Sequence, residues 1–151
     1  MKWPVVKKMI RRKFPGVPEV TTAVLADWLA ADRPQPRLLD ARAPQEFAVS
    51  HLDGAHPAPT VDEALRHLNG AHKNEPIVVY CSVGYRSAAI VERLAAEGFT
   101  QVHNLDGSLF QWANEGRPVY RDGRVVEEVH PYDDKWGVLL DRQLWARSPS
   151  E

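Results

Sequence analysis

Cysteine is almost absent from this sequence, which contains a single one, Cys81, among 151 residues. One thiol excludes an internal disulfide and any metal site built from several cysteines. The six histidines show no helical pairing at i and i+4, so neither a metal site nor another cofactor is predicted. This sparing use of cysteine fits a reducing compartment, and the predicted location is cytoplasmic.

Sequence signals for nucleotide binding, membrane insertion and secretion are also missing. Neither GxGxxG nor GxxxxGK[ST] occurs, which disfavours a nucleotide-binding enzyme. No apolar run approaches the roughly 18 residues of a membrane span, and the basic start lacks the apolar block of about 7 to 15 residues found in secretory signals. With a net charge of −1, the chain is not expected to bind nucleic acid.

Positive charge is concentrated in residues 1–18, which hold six cations and no acid and leave 13 basic and 20 acidic residues in the rest. Apolar and basic positions alternate within residues 4–14 as on the two faces of an amphipathic helix, with Pro4 in its first turn. The favoured interpretation is that Val5 and Ile10 pack on the domain. Docking to an acidic partner or to an anionic membrane surface is the alternative.

Strands and helices alternate along the middle of the chain. The predicted strands are Arg37–Asp40, 55–59, Pro76–Tyr80 and 99–105, and the predicted helices are one capped by Thr22 and those at 44–50, 61–70, 87–97 and 107–115. Such alternation implies βαβ units and a mostly parallel sheet. Two prolines within 55–59 place that strand at an edge of the sheet.

The pattern changes in the last part of the chain. The Asp122-Gly123 pair stands between β-forming residues and predicts a hairpin. Trp136, Leu140 and Leu144 then recur every four residues, which predicts a closing helix. We expect residues 120–151 to pack on the same domain as an extension, with a partner-binding arm as the alternative.

The single cysteine lies where a buried strand passes into a helix, in the stretch IVVYCSVGYRS. In open α/β sheets, ligands bind at the carboxyl ends of the strands. A helix N-terminus and a turn at Gly84 offer backbone N–H groups to an anion, and Arg86 adds a fixed positive charge. Cys81 is therefore expected to be a thiolate nucleophile. An inert buried thiol is the alternative.

The loop Cys81–Ser87 is accompanied by LLDAR at 38–42, EF at 46–47, HLDGA at 51–55 and, over 105–119, by LDGS, Trp112 and GRPV. In this order and spacing these stretches resemble the signature of the single-domain rhodaneses, whose active loop has the form C-x-x-G-x-R-S. The resemblance covers about residues 19–119. Residues 1–18 and 120–151 lie outside it.

The resemblance implies a rhodanese-like α/β fold with a central, mainly parallel five-stranded sheet flanked by helices, to which the C-terminal extension is added. It also implies a sulfurtransferase that moves sulfane sulfur through a persulfide on Cys81. The donor would be a small anion such as thiosulfate, and the acceptor would be cyanide or a thiol, including a thiol on a protein. Because Cys81 is the only cysteine, the acceptor must come from outside the chain.

The resemblance also assigns roles to the residues around Cys81. Asp40 and Arg42 would support the loop by orienting it, although a structural ion pair, such as Arg42 with Glu46, is the alternative. The positions that would bind the persulfide and the substrate are Ser82, Val83, Gly84, Tyr85, Arg86 and Ser87.

Two other functions compete with sulfur transfer. Related phosphatase loops place five residues between the cysteine and the arginine, whereas here there are four. The smaller loop suits a sulfur atom better than a phosphoryl group, which disfavours a cysteine phosphatase or an arsenate reductase. A non-catalytic rhodanese-like binding or regulatory module is the other alternative, and the presence of Cys81 with Arg86 argues against it.

Overall fold

The computed structural model describes residues 1–147 and has a five-stranded parallel sheet at its centre. The strands are β1 Glu19–Val20, β2 Arg37–Asp40, β3 His56–Pro57, β4 Ile77–Tyr80 and β5 Val102–Leu105, and their order in the sheet is β1-β5-β4-β2-β3. The predicted α/β fold is therefore confirmed, and the proline-containing strand β3 lies at an edge as expected. Strand β1 was not predicted, because two residues are too few to show a pattern.

Within residues 1–147, six α-helices flank the sheet on both faces. They are α1 Trp3–Lys13, α2 Thr22–Ala30, α3 Pro44–Val49, α4 Val61–His67, α5 Tyr85–Ala96 and α6 Ser108–Asn114. Successive side chains of a strand point to opposite faces. Val78 of β4 accordingly packs with residues of α1, α2 and α6, while Val79 packs with residues of α4 and α5. Burial on both faces explains why β4 is apolar without interruption.

Helix α1 packs on the domain through Ile10, as predicted, but with Val6 rather than Val5 beside it. Val6 and Ile10 are buried, whereas Val5 is 65% exposed and Met9 is also exposed. The expectation that Val5 packs on the domain is wrong, because the helix lies with the i, i+4 pair Val6 and Ile10 against the core. Docking of the outer face to an acidic partner or membrane remains a prediction.

The start of α2 also differs from the prediction. Thr21, not Thr22, caps this helix, because the Thr21 side chain accepts a hydrogen bond from the N–H group of Val24 at 3.1 Å. Thr22 lies in the first turn, is buried, and donates to Glu115 Oε1 at 2.6 Å. Threonine at either position could cap the helix. The Thr22 hydroxyl is engaged by Glu115, and the Thr21 hydroxyl makes the cap.

Between α6 and residue 147 the chain forms a hairpin and two short 3₁₀ helices. Strands β6 Val119–Arg121 and β7 Arg124–Val126 pair antiparallel around Asp122-Gly123, both of which have positive φ, as the predicted turn requires. The predicted closing helix is wrong, since residues Trp136–Leu139 and Arg142–Leu144 form separate 3₁₀ turns. Trp145 donates through Nε1 to the carbonyl groups of Gly137 and Leu140 and holds the break between the turns.

The C-terminal segment packs against the same core as the sheet. Val129, Leu139 and Leu140 are buried in the cluster that contains Val78. Asn114 of α6 donates through Nδ2 to the Leu139 carbonyl oxygen and accepts through Oδ1 from the Asp141 N–H group, both at 2.8 Å. The boundaries 1–18, 19–119 and 120–151 stay predictions, and residues 148–151 lie outside the described residues. Among residues 1–147, no helix has the length and hydropathy needed to cross a membrane.

Candidate active site

The Cys81 loop leaves the central strand at the carboxyl edge of the sheet and enters helix α5. The helix begins at Tyr85, two residues before the predicted start, so Arg86 lies in its first turn. Gly84 is the N-cap residue and has φ 115°, a conformation that favours glycine. It offers no side-chain cap. The first-turn N–H groups of α5 therefore have no partner within the helix and remain available to an anion.

The Cys81 sulfur is held inside the loop. The residue is 1% exposed, and its Sγ accepts a hydrogen bond from the Gly84 N–H group at 3.2 Å. Ser87 Oγ lies 3.4 Å from Sγ and 2.6 Å from Asn104 Oδ1. A hydroxyl carries one proton, so while Ser87 donates to Asn104 it can only accept from the Cys81 thiol. Asn104 also donates through Nδ2 to the Gly84 carbonyl oxygen at 3.0 Å, which fixes the turn.

The N-terminus of α6 supports the loop from behind. Leu109 and Phe110 donate their N–H groups to the carbonyl oxygens of Cys81 and Ser82, each at 3.0 Å. The Cys81 N–H group donates to Ser108 Oγ at 3.2 Å. Ser108 follows Gly107 at the start of α6 and has a positive φ of 49°. Ser108 thus adopts a left-handed backbone conformation and supplies a hydrogen-bond acceptor to the loop.

Arg86 forms a bidentate ion pair with Glu46 of α3. Its Nη1 lies 2.8 Å from Glu46 Oε2, and its Nη2 lies 3.0 Å from Oε1 and 2.9 Å from Ser82 Oγ. Burial opposes ionisation of Glu46, but the hydrogen bond and charge of Arg86 outweigh it and lower the pKa of this carboxyl below its ordinary value. The predicted role of Arg86 in binding the substrate stays a prediction, and this geometry suits a role in bracing the loop.

Asp40 and Arg42 form a second, completely buried ion pair. Arg42 Nη2 lies 2.8 Å from Asp40 Oδ2 and 2.6 Å from the Ser50 carbonyl oxygen. Arg42 thus forms a structural ion pair, but the candidate partner Glu46 was wrong, because Glu46 pairs with Arg86 and Asp40 pairs with Arg42. Burial alone would lower the pKa of Arg42, but the charge and hydrogen bonds of Asp40 outweigh it and raise the pKa. Within residues 1–147, no side-chain hydrogen bond joins this pair to the loop, so its orienting role stays a prediction.

A pocket of about 120 Å³ opens over Cys81. The loop contributes Ser82, Val83, Tyr85 and Arg86 to its lining, and the segment after the hairpin contributes Tyr132 and Trp136. The structure therefore brings the predicted loop residues together at one site. Gly84 and Ser87 contact the sulfur without lining the pocket.

Sequence reasoning missed four residues of this site: Glu46, Asn104, Tyr132 and Trp136. A signal existed for Asn104, which is a polar residue near the carboxyl end of a buried strand beside β4. Glu46 was noticed in the signature but was assigned to a pair with Arg42. No local pattern indicated that Tyr132 and Trp136 would return to the loop.

Comparison with known proteins identifies the family. Residues 21–115 match the family model described as Rhodanese-like domain. The chain belongs to this family. The predicted resemblance is thereby confirmed, and the match spans every strand of the sheet except β1.

Relatives of this rhodanese-like chain include a sulfurtransferase. The probable adenylyltransferase/sulfurtransferase MoeZ of Mycobacterium tuberculosis is 31% identical over 100 residues, which are 66% of this chain and 25% of MoeZ. The chain thus spans about a quarter of the length of that relative. A rhodanese-like domain protein from Staphylococcus aureus has a TM-score of 0.60 and 29% identity, covering 70% of this chain and 99% of that one.

A further structural neighbour supports the fold alone. Thiosulfate sulfurtransferase from Pseudomonas aeruginosa has a TM-score of 0.67 at 18% identity, covering 87% of this chain and 25% of that one. These comparisons establish a rhodanese-like domain that has sulfurtransferase homologues.

Proposed function

We propose that this rhodanese-like domain transfers sulfane sulfur through a persulfide on Cys81. The observation that carries the proposal is the position of the Cys81 sulfur, which lies at the pocket and accepts a hydrogen bond from the Gly84 N–H group at 3.2 Å. The free N–H groups in the first turn of α5 would hold a second, anionic sulfur atom on Sγ. Arg86 would brace this loop through Glu46 and Ser82.

The reaction has two steps. The Cys81 thiolate attacks the outer sulfur of thiosulfate, the Sγ–S bond forms, the S–S bond of the donor breaks, and sulfite leaves with the electron pair. An acceptor such as cyanide then attacks the outer sulfur of the persulfide, forms thiocyanate and regenerates the thiolate. Since the sequence has no second cysteine, the acceptor is cyanide or a thiol on another molecule, including a protein. The single free thiol supports a cytoplasmic, reducing location.

Intact mass spectrometry tests this proposal. After separate incubation with excess thiosulfate and with mercaptopyruvate, we expect the chain to gain the mass of one sulfur atom from at least one donor. A thiol reductant or cyanide should remove that mass, and cyanide should yield thiocyanate. The Cys81→Ser variant should gain nothing, because it lacks the nucleophile.

Two outcomes would contradict the proposal. Failure of excess donor to modify Cys81 would favour a binding or regulatory module. Phosphate release from an aryl phosphate, lost in Cys81→Ser and unaccompanied by thiocyanate formation, would favour a phosphatase.

A further inference from the structure

Two aromatic residues from outside the family match complete the pocket over Cys81. Tyr132 and Trp136 follow the hairpin, beyond the matched residues 21–115, and line the pocket together with Val83 and Tyr85. The walls around the sulfur are therefore largely aromatic and aliphatic. Pockets of this kind bind organic groups and use a few polar atoms for orientation.

The backbone of Tyr132 is held in an unfavourable conformation that directs its ring to this site. Its φ is 72°, which a residue with a Cβ atom rarely adopts. The Tyr132 N–H group donates to His130 Nδ1 at 3.0 Å, and the ring centroid lies 4.7 Å from Cζ of Arg86. Strained residues of this kind cluster at functional sites, where the surrounding structure maintains them.

The charge of the pocket suits an organic monoanion better than a small dianion. Among the described lining residues Arg86 is the only cation, and Glu46 and Ser82 already accept from its guanidinium. The pocket consequently presents no uncommitted cation to a sulfonate or sulfate group. The first-turn N–H groups of α5 can bind one negative charge, while the aromatic rings can bury a hydrocarbon group.

We propose that Tyr132 and Trp136 make the pocket selective for sulfur donors that carry an organic group, such as an arenethiosulfonate, over inorganic thiosulfate. The inference rests on the proposed function, since the transferred sulfur goes to Cys81. The Cys81 thiolate attacks the outer sulfur of the arenethiosulfonate and the Sγ–S bond forms. The S–S bond of the donor breaks, and arenesulfinate leaves with the electron pair. The step needs no external oxidant or reductant.

The test compares the use of two sulfur donors by the parent and by variants at Tyr132 and Trp136. The measured quantity is the ratio of kcat/KM for benzenethiosulfonate to kcat/KM for thiosulfate, with cyanide as acceptor. Any change in Cys81 reactivity that affects both donors equally cancels in this ratio. Tyr132→Gly and Trp136→Ala should each lower it roughly 3- to 10-fold, the range that one aromatic contact is expected to contribute. Tyr132→Phe should keep the parent ratio, because it retains the ring.

The variants are chosen so that a change in donor selectivity can be told apart from a loss of folding. Glycine suits the φ of 72° at position 132, so Tyr132→Gly removes the ring without straining the backbone. Val138→Ala is the matched control, because Val138 lies in the same 3₁₀ helix as Trp136, is 59% exposed and does not line the pocket. It should keep the parent ratio.

An unchanged ratio in both Tyr132→Gly and Trp136→Ala, with Cys81 persulfide still forming, would overturn this inference alone. Absence of persulfide from both donors in the parent would overturn the proposed function, and the inference with it. A lowered ratio in Tyr132→Gly and Trp136→Ala, with an unchanged ratio in Val138→Ala, would support the inference.

Discussion

Glu46 links three parts of the candidate site through one carboxylate. It is 2% exposed and accepts from the Ala43 N–H group at 2.9 Å as well as from Arg86 and Ser82. A buried charge that loses its partner costs several kcal/mol, so Glu46 and Arg86 depend on one another. Glu46 therefore neutralises the charge of Arg86 and fixes the orientation of its side chain.

The ionisation of Glu46 should make stability depend on pH. Its pKa is lower in the folded chain than the ordinary value of 4.5, so the folded state binds fewer protons than the unfolded state in that range. The contribution to the free energy of unfolding is therefore present above about pH 4.5 and lost as the pH falls through the folded pKa. We expect the parent to lose stability on acidification relative to Glu46→Gln, which cannot ionise at this position.

Urea unfolding between about pH 6 and pH 3 measures this difference. Glu127→Gln, at an exposed position, controls for the loss of one negative charge and should not reproduce the effect. Parallel stability curves for the parent and Glu46→Gln would contradict the expectation.

At the scale of elements, α1 and the start of α5 support one another. A side chain at position 84 would begin 3.6 Å from Ile10 Cδ1, so Ile10 lies directly against the loop glycine. Phe14 at the end of α1 meets the ring of Tyr85 edge to face, with centroids 5.3 Å apart. Lys7 and Arg11 also pair with Asp106 at 3.3 and 3.4 Å. The N-terminal helix is therefore part of the support of the Cys81 loop, although it lies outside the family match.

Truncation of Ile10 should reveal this support. Ile10→Ala removes buried carbon atoms and is expected to lower the free energy of unfolding by about 2–4 kcal/mol. Val5→Ala, on the exposed face of the same helix, should change it by less than about 0.5 kcal/mol. Urea unfolding measures both variants. Similar small effects in the two would show that α1 does not belong to the cooperative core.

At the scale of the whole molecule, helix α1 and the segment of residues 129–140 pack on one face of the sheet. Val6 and Ile10 near the beginning share a buried cluster with Val129, Leu139 and Leu140 near the end. The side chain of Asn114 ties the end of this arrangement to α6 through its two hydrogen bonds. The family-matched part thus supplies the sheet and the nucleophile, and the two added segments complete the surroundings of the loop.

Removal of the Asn114 side chain should loosen the C-terminal segment without disturbing the sheet. In Asn114→Ala, we expect faster hydrogen exchange at the amides of Leu140 and Leu144, because their segment loses two hydrogen bonds to α6. The amides of β4 should exchange as in the parent. Gln111→Ala on the same helix is the control, since Gln111 bonds to Glu115 and not to this segment. Equal changes in β4 and in the segment would contradict this picture.

Strong local patterns explain which predictions succeeded. Strand β4 is a continuous apolar run that leads into the only cysteine, so its position and that of Cys81 followed from the residues alone. The start of α5 was placed two residues late, because its apolar stripe begins after the first turn. The closing helix failed because three apolar residues spaced by four do not by themselves require a continuous helix, and Trp145 stabilises the break between the two 3₁₀ turns through Gly137 and Leu140.

The sequence by itself determined the alternation of strands and helices, the family, and the place of Cys81 at the carboxyl edge of the sheet. These features depend on residues that are neighbours along the chain. Only the tertiary structure decided that Arg86 pairs with Glu46, which is 40 positions away, and that Tyr132 and Trp136 line the pocket at Cys81. Such contacts depend on how distant elements pack, and many side chains have the size and charge to make them, so no local pattern selects the partner.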